Sequence, residues 1–101
     1  MNLKQKKQDY NLRRRYGISL VQYHKIHKSQ KGKCAICRAH QKHFKKRLSV
    51  DHNHKTGQIR GLLCHYCNSR LLRFLRDDKN RARGLIRYLS KAIKNDKEWV
   101  D

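Results

Sequence analysis

The arrangement of apolar and polar positions predicts two helices at the start of the chain. Residues 1–15 are polar and rich in Lys, Arg and Gln, which favour helix, so they are expected to form a basic helix or arm. Gly17 interrupts this segment. Ser19 and Gln22 then have the spacing of a capping box, and apolar residues follow at helical spacing. A short helix over 19–29 is therefore predicted.

The middle of the chain has the pattern of two short strands followed by a helix. Residues 48–51 alternate between apolar and polar, as in a half-buried strand. A polar loop over 53–57 leads to a second segment, 58–63, which we interpret as the partner strand. A helix is predicted to open at 64–67 and to carry leucines along one side.

A last helix is predicted over 79–94. Leu85, Ile86, Leu89 and Ile93 form a continuous apolar stripe along it. A stripe of this kind normally faces the protein interior, so we interpret it as part of the core.

Composition indicates one small domain with a marginal core. A chain of 101 residues suffices for one domain and not for two, and 37% of its residues are hydrophobic. A core made from so few apolar groups usually needs a staple. Residues 1–101 are therefore expected to form a single domain held together through the cysteines.

The charge of the chain predicts a polyanionic partner. Lys and Arg number 27 against 7 Asp and Glu, a formal net charge of +20, which favours nucleic acid. Membrane binding is not expected, because no segment joins a broad apolar face to enough Trp or Phe, and no run approaches about 20 apolar residues. The first residues lack the apolar stretch of a secretory signal, so a cytoplasmic location is expected.

Four cysteines in two close pairs predict a structural zinc site. Two residues separate Cys34 from Cys37 and Cys64 from Cys67, and residues 38–63 lie between the pairs. In a reducing cytosol this spacing indicates metal ligands rather than disulfides. An ion saturated by four thiolates has a structural role. The alternative is a mixed site in which His40, His43 or His65 replaces one cysteine. Such a site would leave one cysteine without a metal.

A second group of polar residues has the composition of a hydrolytic site. Asp51 and His52 lie at the end of the first predicted strand, His54 follows them, and Asn68 comes directly after the last cysteine. Phosphodiester hydrolysis needs a base for water and a cation that neutralises the phosphate. His52 offers the base, and the oxygens of Asp51 and Asn68 suit a hard divalent ion. Neighbours in a regular strand point to opposite faces, so the strand must end or twist at Asp51 for both to reach one phosphate.

Five segments together resemble a known family. They are similar to the phage recombination endonuclease VII family of His-Me finger, or HNH, nucleases: Cys34-Ala-Ile-Cys37, Val50-Asp-His-Asn-His54, Thr56-Gly57, Arg60-Gly-Leu-Leu-Cys64 and Cys67-Asn68. The resemblance runs from about Tyr16 to Leu89. It implies an α+β fold with a small ββα-metal core over 34–76, a structural zinc, flanking helices and DNA endonuclease activity.

The resemblance also implies roles for individual residues. His52 would be the general base, Asp51 and Asn68 would hold Mg²⁺ or Mn²⁺ at the scissile phosphate, and His54 would touch the phosphate or the substrate. The products would carry 5′-phosphate and 3′-hydroxyl ends. Leu71 stands where the junction-resolving enzyme of the family has a functional glutamate, and that enzyme's long C-terminal region has no counterpart here. We therefore expect a nicking nuclease rather than a Holliday-junction resolvase, acting in the host-cell cytoplasm if it is phage-encoded.

DNA is the expected partner, held mainly through its phosphates. The candidate contacts are Arg13, Arg14, Arg15, Lys42, Lys45, Lys46, Arg47, Arg60, Arg70, Arg73 and Arg76. Such contacts give affinity without sequence information and make binding sensitive to salt. The sequence leaves three alternatives open: a zinc-stapled module that binds nucleic acid without cutting it, a subunit that needs a partner protein, and either a monomer or a homodimer.

Overall fold

The computed structural model describes residues 1–91 of the chain. These residues form a small mixed structure of helices and one two-stranded sheet. Its elements are α1 (Leu3–Tyr16), α2 (Leu20–Ser29), a 3-10 turn (Gln41–His43), β1 (Ser49–His52), β2 (Ile59–Leu63), a π-helical turn (Cys67–Leu71), α3 (Leu72–Leu75) and α4 (Lys79–Ser90). The predicted order of two helices, two strands and a following helix is confirmed.

Local contacts close α1 at both ends. The Asn2 side chain accepts a hydrogen bond from the backbone N–H of Gln5 at 2.8 Å, and the Gln5 side chain accepts one from the backbone of Asn2 at 3.0 Å. Gly17 ends the helix in the left-handed conformation, with φ of 73°, which glycine adopts without steric cost. Leu12 is buried, whereas most of the helix is exposed and basic.

The predicted capping box opens α2. The Ser19 hydroxyl accepts from the backbone of Gln22 at 3.0 Å, and the Gln22 side chain accepts from the backbone of Ser19 at 2.8 Å. Asp9 of α1 accepts a hydrogen bond from the backbone N–H of Leu20 at 2.8 Å, so it ties the two helices together. This bond is the largest cause that lowers the pKa of Asp9.

The two strands pair antiparallel, with an irregularity at the end of β1. Val50 lies opposite Leu62 and Asp51 opposite Gly61, but His52 lies opposite Ile59. One residue of β2, at position 60, is therefore extra, which is the definition of a β-bulge. The expected departure from regular strand geometry between Asp51 and His52 is confirmed.

Gln30, directly after α2, anchors β2. Its side chain donates to the backbone oxygen of Leu62 at 2.9 Å and accepts from the backbone N–H of Leu62 at 2.9 Å. A Cβ on Gly61 would lie 3.1 Å from the Gln30 side-chain oxygen, so glycine permits this close approach. The bulged strand is thus fixed against α2.

The core joins the first two helices, the sheet and three of the cysteines. Tyr23 is 3% exposed, and its hydroxyl donates to the backbone oxygen of Leu48 at 2.6 Å. The buried residues of this cluster are Leu12, Leu20, Tyr23, Cys34, Leu48, Val50, Leu62, Leu63, Cys64 and Cys67. Cysteine sulfurs therefore make up a large part of the interior, which agrees with the expectation that the core needs a staple.

The apolar stripe of α4 is not part of the core, so that interpretation was wrong. Leu85 is 43% exposed, Ile86 63% and Leu89 73%, and α4 contains no buried residue. The helix follows a turn at Arg76 and Asp77 and packs against the short α3 rather than against the sheet. Ile93 and the end of the predicted helix lie outside the described residues. Within residues 1–91, no helix has the length and apolar character needed to cross a membrane.

Candidate functional site

The four cysteines form one cluster, and one of them, Cys64, directly follows β2. Their sulfur atoms all lie within 4.8 Å of one another, and the sulfurs of Cys37 and Cys64 are 3.8 Å apart. A tetrahedral zinc with Zn–S bonds of about 2.3 Å requires sulfurs about 3.8 Å apart, so the cluster has the size of a zinc site. The four thiols are thus positioned to bind one metal ion, and a set of four sulfurs leaves no position open for a substrate.

The environment of the thiols differs from one cysteine to the next. Burial opposes ionisation of Cys34, but backbone N–H groups of Cys64, Cys37 and Ile36 outweigh it and lower the pKa of this thiol to about 6. Burial raises the pKa of both Cys64 and Cys67. Thiolate ligands must lose their protons when a metal binds, so metal binding at this cluster is linked to pH.

The histidines considered for a mixed site do not join the cluster. In the part of the chain that the structure describes, the one group of three or more Cys, His, Asp or Glu ligand atoms in range of a common ion is the four cysteines. His43 and His65 are exposed, and the Nδ1 of His40 accepts a hydrogen bond from the backbone of Lys42 at 3.0 Å. The all-cysteine prediction is favoured over the mixed site.

Asp51, near the end of β1, lines an open cavity. The residue is 7% exposed, and the cavity, about 420 Å³, is lined by Asp51, His54, Arg60, Asn68, Ser69, Leu72, Arg73, Arg76 and Asp77. We call it the Asp51 cavity. It brings together three residues predicted for the hydrolytic site: Asp51 and His54, which are neighbours in the sequence, and Asn68, which lies in the later π-helical turn.

Asn68 reaches this cavity through the turn that carries the last cysteine. The backbone N–H of Asn68 donates to the backbone oxygen of Cys64 at 3.0 Å, and the π-helical turn begins at Cys67. Single π-helical turns are frequent at functional sites because they re-aim side chains. Cys67 of the cysteine cluster and Asn68 of the cavity therefore lie in the same π-helical turn.

The residues of the Asp51 cavity fit a divalent cation. Hard cations prefer oxygen ligands, and the cavity offers the carboxylate of Asp51 and the side-chain amide of Asn68. Both oxygens of Asp51 already contact a cationic group, the guanidinium of Arg60, at 2.8 and 3.1 Å. A Mg²⁺ ion, which usually keeps several waters, needs few protein ligands of this kind.

His52 lies beside the cavity and is not one of its lining residues. Its ring centroid is 4.7 Å from that of His54 and 5.6 Å from that of Tyr16, the last residue of α1. The ring of His54 thus connects His52 to the cavity. The ring of Tyr16 is the second aromatic ring next to the predicted base.

The predicted DNA-binding residues divide into three groups. Arg60, Arg73 and Arg76 line the Asp51 cavity, whereas Arg15 and Arg47 line a second cavity of about 250 Å³ next to Tyr16 and β1. The remaining residues are exposed outside both cavities: Arg13, Arg14, Lys42, Lys45, Lys46 and Arg70.

Some of these cations already have partners within the chain. Arg13 pairs with Asp9 at 2.8 Å, and Arg60 pairs with Asp51. The hydrogen bonds to Asp51 raise the pKa of the Arg60 guanidinium above its ordinary value. Arg60 is therefore engaged with a predicted metal ligand instead of being free for phosphate.

Two residues of this region, Tyr16 and Asp77, were not predicted from the sequence. Tyr16 contacts His52, and Asp77 contacts Arg60 at 3.3 Å. Each contact joins residues distant in the sequence, and each residue looks ordinary in its local segment, a basic helix for Tyr16 and an acidic pair for Asp77. No local signal in the sequence distinguishes either one.

Comparison with known proteins shows which family the chain resembles. A model of the recombination endonuclease VII family matches residues 9–91. The chain is 49% identical over 77 residues to Gene 59 protein of Mycobacterium phage D29, which covers 75% of this chain and 46% of that protein. It is 51% identical over 75 residues to Gene 59 protein of Mycobacterium phage L5, which covers 73% of this chain and 44% of that protein. The chain spans less than half the length of these curated relatives. No solved structure was found to match it.

Proposed function

The chain belongs to the recombination endonuclease VII family, and from that premise we propose that it is a metal-dependent DNA endonuclease. The observation that carries the proposal is the meeting of Asp51, Asn68 and His54 at one cavity, with His52 directly beside it. All four residues lie inside the segment that the family model matches. The formal charge of +20 supports DNA as the substrate, and the two phage relatives support action in a host-cell cytoplasm.

We assign the two metal sites different tasks. The four cysteines hold a structural zinc, and the two strands with the following helical turn form a ββα-metal core of the His-Me finger type. Asp51 and Asn68 hold a Mg²⁺ or Mn²⁺ ion. When bound, that ion neutralises the scissile phosphate and stabilises the oxygen that leaves.

The side chains around this ion supply the proton transfer and the positioning. His52 accepts a proton from the attacking water, whose oxygen forms the new bond to phosphorus. The bond from phosphorus to the 3′ oxygen breaks, so the products carry a 5′-phosphate and a 3′-hydroxyl. His54 contacts the phosphate, and the exposed arginines hold the DNA backbone. Tyr16 limits the positions that the His52 ring can take.

The test is cleavage of supercoiled plasmid by the zinc-loaded chain with Mg²⁺. We expect nicking by the wild type and a loss of about 10²- to 10⁴-fold in His52→Ala, the usual scale for a general base. His65→Ala is the matched control, because it removes an exposed imidazole near the cysteines and should cut normally. Equal cutting by His52→Ala and the wild type would rule out the assigned base.

The same assay distinguishes the remaining alternatives. Tight DNA binding without cutting in Mg²⁺ or Mn²⁺ would favour a binding module, and cutting restored by another protein would favour a partner-dependent subunit. A four-way junction offered beside the plasmid tests junction resolution, which the family name suggests. We propose nicking of duplex DNA as the main activity, because Leu71 occupies the position where the resemblance to the junction-resolving enzyme would require a glutamate.

A further inference from the structure

Arg60 lies between two carboxylates at the edge of the Asp51 cavity. Its Nε donates to one oxygen of Asp51 at 2.8 Å, and its Nη2 donates to the other at 3.1 Å. Nη2 also reaches an oxygen of Asp77 at 3.3 Å. One guanidinium thus covers both oxygens of Asp51 in a two-point geometry. A divalent ion that binds Asp51 needs at least one of those oxygens, so the ion and the cationic guanidinium of Arg60 compete for the same carboxylate.

The irregular pairing of β1 and β2 brings Arg60 to Asp51. Asp51 lies opposite Gly61. If the pairing continued regularly, Arg60 would lie opposite His52, and the Arg60 side chain would point to the face of the sheet away from Asp51. The bulge removes Arg60 from that pairing and lets its side chain meet Asp51. Gln30 holds the backbone next to the bulge. The ion pair is therefore part of the architecture and not an incidental surface contact.

The second carboxylate comes from an unusual turn. Arg76 and Asp77 have φ of 52° and 53°, in the link between α3 and α4. Two successive residues with side chains in this left-handed region are energetically unfavourable. The turn brings Asp77 to Arg60, so the guanidinium keeps an acidic partner when it leaves Asp51.

We propose that Arg60 is a resident counter-cation of Asp51 that must release at least one carboxylate oxygen before a divalent ion binds. The inference rests on the proposed function, since it takes Asp51 as a metal ligand. Arg60 moves toward Asp77 and toward a phosphate of bound DNA. Its role is thus to make metal binding depend on the substrate.

DNA favours this exchange because a phosphate offers Arg60 the same two-point partner as a carboxylate. When DNA takes the guanidinium, the oxygens of Asp51 become available to the ion. By thermodynamic linkage, DNA and metal then raise each other's affinity by the same factor, and couplings of this kind are typically about 5- to 150-fold. The enzyme would hold its catalytic ion firmly only on DNA.

The test is Mn²⁺ binding to the zinc-loaded full chain, followed through the electron paramagnetic resonance of the free ion. Without DNA, we expect Arg60→Gln to bind Mn²⁺ about tenfold more tightly than the wild type, because the competitor is gone. With a non-cleavable phosphorothioate duplex, the wild type should gain much more affinity than Arg60→Gln. Ion binding to the duplex alone is subtracted.

Arg73→Gln is the matched control. Arg73 lines the same cavity and carries the same charge, but it makes no ion pair with Asp51. Removing it changes the general electrostatic field without removing the competitor, so Mn²⁺ affinity measured without DNA should change by less than about threefold. The measurement with DNA is not compared for this variant, because Arg73 is itself a predicted DNA contact. Arg60→Lys keeps the charge and loses the two-point geometry, and we expect tighter Mn²⁺ binding that is intermediate between the wild type and Arg60→Gln. Zinc content and a thermal melt show whether Arg60→Gln folds. If it does not, the comparison is made between Arg60→Lys and the wild type.

Failure of this inference and failure of the proposed function give different results. If Asp51→Asn abolishes Mn²⁺ binding while both Arg60 variants bind like Arg73→Gln, the metal site stands and the counter-cation role is overturned. If Asp51→Asn binds Mn²⁺ like the wild type, the metal assignment in the proposed function is wrong, and the inference fails with it. An upfield or downfield change of the Arg60 Nε–H resonance on addition of Mg²⁺, absent in Asp51→Asn, would support the exchange directly.

Discussion

The two candidate metal sites of this chain differ in almost every physical respect. The cysteine cluster supplies four sulfurs from two short segments, and three of the four residues are buried. The Asp51 cavity is lined by the carboxylates of Asp51 and Asp77 and the amide of Asn68, opens to solvent and already holds the guanidinium of Arg60. A complete ligand set makes the first site suited to holding the fold together. An incomplete set makes the second suited to an ion that also binds the substrate.

The comparison also explains why the two sites lie so close together. Asn68 directly follows Cys67, so a metal bound by the cysteines would also fix the segment that carries the proposed oxygen ligand Asn68. β1 leads from the buried core to Asp51 in the same way. A site with few ligands of its own depends on rigid neighbours for its geometry.

The largest effect should come from breaking the cysteine cluster. In Cys64→Ser a buried thiolate ligand is lost, and we expect loss of zinc and of cooperative unfolding. Structural zinc contributes roughly 10 kcal/mol or more, which is comparable to the whole stability of a small domain. Zinc content and a thermal melt by circular dichroism measure this. A Cys64→Ser chain that kept both would show that the cluster is not what holds the fold.

The Asp51 site should respond in the opposite way. Asp51→Asn should retain its zinc and its melt yet cut supercoiled plasmid about a hundredfold more slowly or worse, the scale of losing one preorganised electrostatic group. The two measurements on the same preparation separate chemistry from folding. If the zinc content fell together with the activity, the proposed division between the sites would not hold.

A smaller effect should come from the core hydrogen bond of Tyr23. Tyr23→Phe removes the donor to the buried backbone oxygen of Leu48, which should cost about 1–2 kcal/mol in the free energy of unfolding and leave the cutting rate unchanged. Denaturant titration measures the first quantity and the plasmid assay the second. A changed cutting rate would mean that the core and the cavity are not independent.

The pH dependence of Tyr23 gives a second check on the same variant. Burial raises the pKa of this phenol, so the folded state favours the protonated form. The stability that this provides is fully present below the unfolded pKa of about 10 and is lost as pH rises through the folded value. The wild type should therefore lose stability more steeply than Tyr23→Phe above about pH 10. Parallel curves for the two proteins would contradict this explanation.

The smallest effect should come from Tyr16, which touches the predicted base. Tyr16→Leu should lower kcat about two- to tenfold and leave the KM for DNA unchanged, since aromatic contacts of this kind contribute about 0.5–1.5 kcal/mol. Tyr16→Phe keeps the ring and should restore kcat. If Phe fails to restore the rate while the melts of both variants match the wild type, the ring is not what positions His52.

The sequence predicted features that depend on short stretches of chain. The capping box of Ser19 and Gln22 is a contact between residues close in the sequence, so it was recognisable. The two-residue spacing within each cysteine pair is typical of metal ligands, so the cysteine cluster was recognisable as well. The departure from regular strand geometry at Asp51 followed from the need to place two neighbours at one phosphate. Each of these follows from a few adjacent residues.

Features that depend on tertiary contacts were not predictable. The stripe on α4 shows which side of the helix is apolar but not whether anything covers it, so its exposure came only from the structure. Arg60 looked like a phosphate contact, because nothing in the sequence marks a bulge that turns it to Asp51. Tyr16 and Asp77 likewise reach their partners only through the packing of α1 and the turn before α4.

We propose that one metal maintains the fold and that a different one takes part in the chemistry. The most direct test is to pass the protein over a chelating resin until it keeps only the zinc of the cysteine cluster, and then to titrate Mg²⁺ while following plasmid cutting, zinc content and circular dichroism. We expect a folded, zinc-loaded and inactive chain whose cutting returns in a saturable way with Mg²⁺, without any change in zinc content or fold. Full cutting by the zinc-loaded chain before any Mg²⁺ is added would contradict this proposal.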